Sequence, residues 1–159
     1  MTAAELRALA AEISADKTGL LKLAATADEL RLLAHRVSRS TDSPRLLADR
    51  VLIAFGWSIN KSTFEQVQPS VIVSPLGDVT RMYYADNSNP LISLDLANAL
   101  VPNGWRVLRV KRFKDDLWVW FCELHNEKLA PASAYGYTEG HARVAAALTA
   151  RAAVMEIGQ

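Results

Sequence analysis

The sequence predicts an α+β fold: an αβα three-layer sandwich with a mainly antiparallel sheet of about four strands flanked by helices, preceded by an N-terminal helical extension. Three observations lead there. Segments with helical apolar spacing alternate with hairpin-like runs in the order helix, hairpin, helix, hairpin, helix. The second hairpin carries large apolar groups on both faces, and a sheet apolar on both sides needs cover on both sides. Finally, Ser93-Leu-Asp-Leu-Ala-Asn-Ala-Leu-Val-Pro-Asn-Gly-Trp105 compresses a helix start, a helix, a stop and a strand start into one stretch.

The elements follow in chain order. Residues 3–13 are rich in Ala, Leu and Glu and read as helical, and Asp16-Lys-Thr-Gly19 breaks that pattern. Thr26 and Glu29 have capping-box spacing and launch a helix through about Val37, with Leu30, Leu33 and Val37 on one side. A polar linker, residues 38–42, follows. Ser43-Pro44 reads as N-cap plus first helical position, because the missing proline amide costs nothing there. Leu47, Val51, Ala54 and Phe55 line the buried side of that helix, Gly56 suits its C-terminal cap, and Trp57 is expected to fold back onto it.

Residues 58–69 are polar and give no assignment. Val71-Ile-Val73, a turn at Pro75-Leu-Gly-Asp78 and Thr80-Arg-Met-Tyr-Tyr84 read as a hairpin. Ser93 caps the next helix, Leu94, Ala97, Leu100 and Val101 form its stripe, Pro102 stops it, and Trp105 opens a strand. The second hairpin joins residues 105–114 to residues 117–124 through Asp115-Asp116, and a short strand is possible near Tyr135 and Tyr137. Thr138 caps the last helix, whose stripe is Val144, Leu148, Ala152 and Met155 and whose alanines allow close approach to a sheet. The domain reading is residues 1–40 as extension and residues 41–159 as the sandwich.

Composition narrows the class. Half of the 159 residues are apolar and 22% are charged, as in a folded chain rather than a disordered one. The formal charge of +1 exerts no global pull on nucleic acid or anionic lipid. Cys122 is the single cysteine, so no disulfide framework or cysteine-rich metal site is expected. The start of the chain, with Glu5, Arg7 and Glu12, lacks the apolar core of a signal peptide, and the strongest apolar run, residues 117–122, is too short to span a bilayer. The expected location is the cytoplasm, with no membrane partner.

Three blocks in order resemble the phage ABA-sandwich domain family, small proteins of phages and prophages. They are the helix with Leu46-Leu-Ala-Asp49 ending in Phe55-Gly-Trp57, the block from Ser93 to Trp105, and Ala142-Arg-Val-Ala-Ala-Ala-Leu-Thr-Ala-Arg-Ala152. The resemblance covers about residues 28–155, with residues 58–92 diverging. It implies an αβα sandwich and a phage or prophage context in a host cell, and it implies no activity, cofactor or catalytic residue.

The main candidate binding surface is a basic run, Arg106, Arg109, Lys111, Arg112 and Lys114, facing Trp118 and Trp120. With a two-residue turn, Lys111 lies opposite Trp120 and Arg109 opposite Cys122. Cations interleaved with aromatics suit phosphates and stacked bases. The competing reading pairs these cations with Asp115, Asp116 and Glu123, or lays them over tryptophan faces. Cys122 and His125 are three apart on a strand and so point to opposite faces, against a thiol–imidazole pair. His141, in the first turn of the last helix, is a candidate anion ligand or an ordinary histidine. His35, with Arg36 and Arg39, suits the C-terminal end of its helix dipole. Tyr83, Tyr84, Tyr135 and Tyr137 could line a small-molecule cleft with Trp105, or belong to the core.

No phosphate loop, zinc-protease motif, carboxylate pair or nucleophile elbow occurs in the sequence. The expectation is therefore a non-enzymatic phage or prophage accessory protein, with no cofactor or metal. It would act by binding a host or phage macromolecule or by self-association. Nucleic-acid binding through residues 105–124 and nucleotide binding in an aromatic cleft are the alternatives.

Overall fold

The computed structural model describes residues 2–4, 7, 26–60, 71–77, 80–83, 85–114 and 119–158. The helices among them are α1 (Ala27–Arg39), α2 (Arg45–Ala54), α3 (Leu94–Ala99) and α4 (Glu139–Ile157). The strands are β1 (Ser58–Asn60), β2 (Val71–Val73), β3 (Thr80–Met82), β4 (Arg106–Phe113), β5 (Val119–His125) and β6 (Ala132–Gly136). The fold is mixed α+β, with two antiparallel sheets of three strands, β1-β2-β3 and β4-β5-β6.

A single four-stranded sheet was expected, and the described strands differ from it. Each hairpin gains a third strand of its own instead of joining the other: β1 pairs with β2, and β6 pairs with β5. β1 escapes sequence reading because Ser-Ile-Asn lacks an extended apolar alternation, whereas β6 lies where a short strand near Tyr135 was expected, and ends at Gly136 before Tyr137.

Helix α4 is the hub. It packs against β5, β6 and α1, and residues 144–148 are all buried. Contact on several sides along that run widens its buried surface beyond a single apolar stripe. Its alanines at 142, 145, 146, 147 and 150 are fully buried and let both neighbours approach closely. On β6 the residues facing it are equally small: Ala132, Ala134 and Gly136 pair with Leu124, Cys122 and Trp120 of β5. Thr138 caps α4 as expected, accepting a bond from the His141 amide at 3.2 Å.

Helix α1 begins with the expected capping box. The Thr26 amide donates to the Glu29 carboxylate at 2.7 Å, and the Glu29 amide donates to the Thr26 hydroxyl at 3.2 Å. Leu30, Leu33, Ala34 and Val37 are buried, so this helix contributes directly to the core.

Helix α2 starts one residue later than expected. Pro44, at φ −65° and ψ 140°, is itself the N-cap, and Ser43 makes no side-chain cap. The Pro44 carbonyl accepts from the amides of Leu47 and Ala48, each at 3.1 Å. At the other end Gly56 adopts φ 80°. The Trp57 amide then reaches the Leu52 carbonyl at 2.9 Å and the Gly56 amide reaches Ile53 at 2.9 Å, a Schellman closure. Trp57 is buried beside it.

One face of α2 carries a charge into the core. Asp49 is fully buried and accepts from Arg45 Nε at 2.9 Å and from the Tyr83 hydroxyl. The Arg45 guanidinium lies 3.9 Å from the centre of the Tyr83 ring and donates to Ser88 Oγ at 2.7 Å. Asn89 donates to the Ser43 carbonyl at 3.0 Å. These bonds fasten Tyr83, Ser88 and Asn89 to α2 and the residues that lead into it, and a buried carboxylate is tolerated only when paired in this way.

Helix α3 keeps its Ser93 cap, with the Leu96 amide donating at 3.3 Å. Its buried residues are Leu96, Ala97 and Leu100, whereas Leu94 is exposed. Ala97 and Leu100 of the expected stripe are thus buried, with Leu96 taking the place of Leu94.

A side chain at position 136 has no room. A Cβ there would meet the Ala142 amide nitrogen at 2.5 Å and the His141 Cβ at 2.7 Å. Gly136→Ala is expected to destabilise the protein by about 1–3 kcal/mol through overpacking at the β6–α4 contact. Thermal unfolding should show a midpoint lower by several degrees; an unchanged midpoint would contradict this close approach.

Candidate binding surface

The register of the β4–β5 hairpin decides which side chains share a face. Phe113 pairs with Val119, Arg112 with Trp120, Lys111 with Phe121, Val110 with Cys122 and Arg109 with Glu123. This is one residue away from the register of a two-residue turn, because five residues separate Phe113 from Val119. Side chains alternate with period two, so the shift moves Arg109, Lys111 and Arg112 to the other face relative to β5. Lys111 faces Phe121, not Trp120, and Arg109 faces Glu123, not Cys122. A bulge between Val107 and Arg109 then restores the phase, pairing Val107 with Leu124 and Arg106 with His125. Leu108, at the bulge, is 51% exposed.

On the inner face, Cys122 and Leu124 are buried beneath α4, with Trp120 partly covered. The outer face presents Arg106, Arg109, Lys111 and Phe113 on β4, Val119, Phe121, Glu123 and His125 on β5, and Ser133 and Tyr135 on β6. Arg106, Arg109, Lys111, Ser133 and Tyr135 are exposed on this face, and Phe113, Val119, Phe121, Glu123 and His125 are half-buried. Among the described residues, the main helix contacts of this sheet are those of α4 with β5 and β6 and of α1 with β6.

The outer face holds an aromatic trio. Phe121 and Tyr135 have ring centres 5.0 Å apart, Phe113 and Tyr135 6.2 Å, and Phe113 and Phe121 6.4 Å at an interplanar angle of 75°. Tyr135 is 53% exposed. Lys111 Nζ lies 4.7 Å from the Phe113 ring centre. Arg106, Arg109 and Lys111 are exposed, and no described carboxylate lies within ion-pair distance of them, although Arg109 pairs with Glu123 in the ladder.

The sequence-derived surface thus divides. Arg106, Arg109 and Lys111 share the open face. Arg112 lies on the opposite side, with its guanidinium 5.7 Å from the Trp120 ring centre. Lys114 is exposed just beyond β4, and Trp118, Asp115 and Asp116 lie outside the described residues. The tryptophans are replaced as stacking groups by Phe113, Phe121 and Tyr135. A short strand near Tyr135 was expected, but not its pairing with β5, which brings Tyr135 beside Phe121.

The tyrosine cleft does not assemble. Tyr83 is buried on Asp49, Tyr135 belongs to the open sheet, and Tyr84 is outside the described residues. His141 is no anion ligand: it is buried, with Nδ1 2.6 Å from the Thr138 hydroxyl and Nε2 2.7 Å from the Asp42 carbonyl. A carbonyl can only accept, so Nε2 carries the proton and Nδ1 accepts from Thr138. Cys122 and His125 point to opposite faces, as their spacing predicted. Among the described residues no cluster of His, Cys, Asp or Glu suits a metal ion.

Two titrations follow from burial. The Cys122 thiol is pushed up to about 11, by desolvation first and by Glu139 and Glu123 against the opposing Arg143. A thiol held protonated is a poor nucleophile, so Ellman's reagent at neutral pH is expected to label Cys122 only as fast as the protein unfolds. Burial also lowers His141 from its ordinary 6.5, against the opposing Asp42 carbonyl bond. The unfolded chain then binds a proton below about pH 6.5 that the folded chain refuses, so stability is lost as the pH falls. The unfolding midpoint should drop between pH 7 and pH 5, and less steeply in His141→Gln; equal slopes would exclude His141 as the cause.

Comparison of the chain with family models, curated proteins and solved structures finds no match.

Proposed function

We propose that this protein is a non-enzymatic binding module that holds single-stranded nucleic acid on the open face of β4-β5-β6. The observation that carries this reading is the hairpin register, which gathers Phe113, Phe121 and Tyr135 with the exposed Arg106, Arg109 and Lys111 on one face. Base stacking on an aromatic side chain contributes about 1–3 kcal/mol per base and tolerates any sequence. The flanking cations supply the phosphate attraction. A single strand fits because its bases are free to lie on the sheet, whereas duplex bases are already stacked on each other.

Self-association through the same face is disfavoured by charge. A two-fold interface buries the same patch from both copies, so Arg109 and Lys111 would be desolvated against a second set of cations. The resemblance of the three sequence blocks to phage ABA-sandwich proteins supports an accessory role for a phage or prophage in the host cytoplasm. The partner would then be phage or host single-stranded DNA or RNA.

Fluorescence anisotropy with labelled oligonucleotides tests the reading. Three phosphate contacts predict that log K falls against log salt with a slope of about −2. Tyr135→Ala should weaken binding by about 5- to 100-fold. Arg109→Ala with Lys111→Ala should flatten the salt slope by about 1.4. Failure of the wild type to retain any single-stranded oligonucleotide at low salt rejects the proposal.

A further inference from the structure

Where β4 and β5 begin to separate from the loops that follow and precede them, a groove of about 450 Å³ opens, lined by Gly104, Trp105, Arg106, His125, Asn126 and Lys128, with Glu127 as its single acid. Its volume lies in the range of small-ligand sites, about 300–1,000 Å³. Asn126 holds its walls together: Nδ2 donates to the Gly104 carbonyl at 2.8 Å, and Oδ1 accepts from the Lys128 amide at 2.8 Å. Trp105 is buried in the wall, and its indole N–H is without a hydrogen-bond partner.

The groove is continuous with the open sheet. Arg106 and His125 form the last pair of the same ladder; the bulge before Arg109 returns Arg106 to the outer face, where His125 already lies by alternation along β5. We infer that this groove is a phosphate subsite, in which Arg106 and Lys128 hold a phosphate of the strand whose bases stack on the aromatic trio. This inference builds on the single-strand reading above.

The chemistry and the spacing agree. Arg106 offers a fork of donors matched to phosphate oxygens, Lys128 adds a point charge, and His125 donates from a ring nitrogen in either tautomer. Arg106 lies five residues before Lys111, about 16 Å along a strand. At about 3.4 Å per nucleotide, the rise of a fully stacked strand, that distance takes about five steps, and a strand laid open on the sheet takes fewer. A hexanucleotide is therefore long enough to engage both the groove and the aromatic trio.

The test uses the full chain and two readouts. The first is the Trp105 indole N–H resonance during titration with inorganic pyrophosphate at low salt. A saturable shift is expected in the wild type and not in Arg106→Ala/Lys128→Ala, whose substituted residues are both exposed and outside the core. The second is the affinity for thymidine hexamers, which the same variant should lower about tenfold while flattening the salt slope by about 1.4. A loss seen only with 5′- or 3′-phosphorylated hexamers assigns a terminal phosphate to the groove; an equal loss without that group assigns an internal one.

Absence of the pyrophosphate shift, or hexamer binding that the variant leaves unchanged, overturns the inference. The two proposals fail separately. Hexamers that do not bind a protein whose Trp105 still responds to pyrophosphate sink the single-strand reading and leave the groove as an anion site. Hexamers that bind with no dependence on Arg106 or Lys128 sink the groove alone.

Discussion

The structure turns on the seating of β5 against α4. Cys122 and Leu124 are committed to the buried side, and small residues on β6 let the alanine-rich helix come down onto them. A strand has only two faces, so committing one face to the core dictates what the other displays. Phe121, Glu123 and His125 point outward for that reason, and the pairing of β4 and β6 brings Lys111, Arg109 and Tyr135 beside them. The open aromatic surface is thus a consequence of the core, held in place by the same contacts that stabilise it.

Position on the edge of the sheet shapes β4 in a second way. An edge strand with free backbone groups invites pairing with another chain, and charged side chains and bulges oppose that. β4 has both, with cations at 106, 109, 111 and 112 and a bulge at Leu108. The same cations that guard the edge supply the positive charge of the open face, so one set of residues meets two requirements. Net charge conceals this. The chain carries +1 overall, while the outer ladder carries Arg106, Arg109 and Lys111 against Glu123 alone. Local arrangement governs attraction at contact distance, because the solvent screens charges more than about 8–10 Å away.

The second sheet has a different kind of anchor. Its link to the helices runs through Asp49, whose carboxylate is enclosed by Arg45 and Tyr83, while Arg45 continues to Ser88. The network joins residues distant in sequence and leaves the Asp49 charge paired rather than stranded. Its bonds tie Tyr83 and Ser88, which lie between β3 and α3, to α2.

Local signals were legible in the sequence. The Thr26–Glu29 capping box, the Ser93 and Thr138 caps and the Gly56 closure depend on residues within a few positions of each other, and each forms as read. The helices, both hairpins and the mixed α+β class follow from such short-range chemistry and periodicity. Only the tertiary structure decided the rest. A two-residue turn at Asp115-Asp116 is indistinguishable in sequence from a longer connection, yet the one-residue difference in register exchanges the faces of Arg109, Lys111 and Arg112. Tyr135 becomes a neighbour of Phe121 only when β6 adds to β5, and the Arg45–Asp49 pair becomes a buried network only when Tyr83 closes over it. Register, strand order and burial are set by packing between segments far apart in the chain, and neither spacing nor composition encodes those distances.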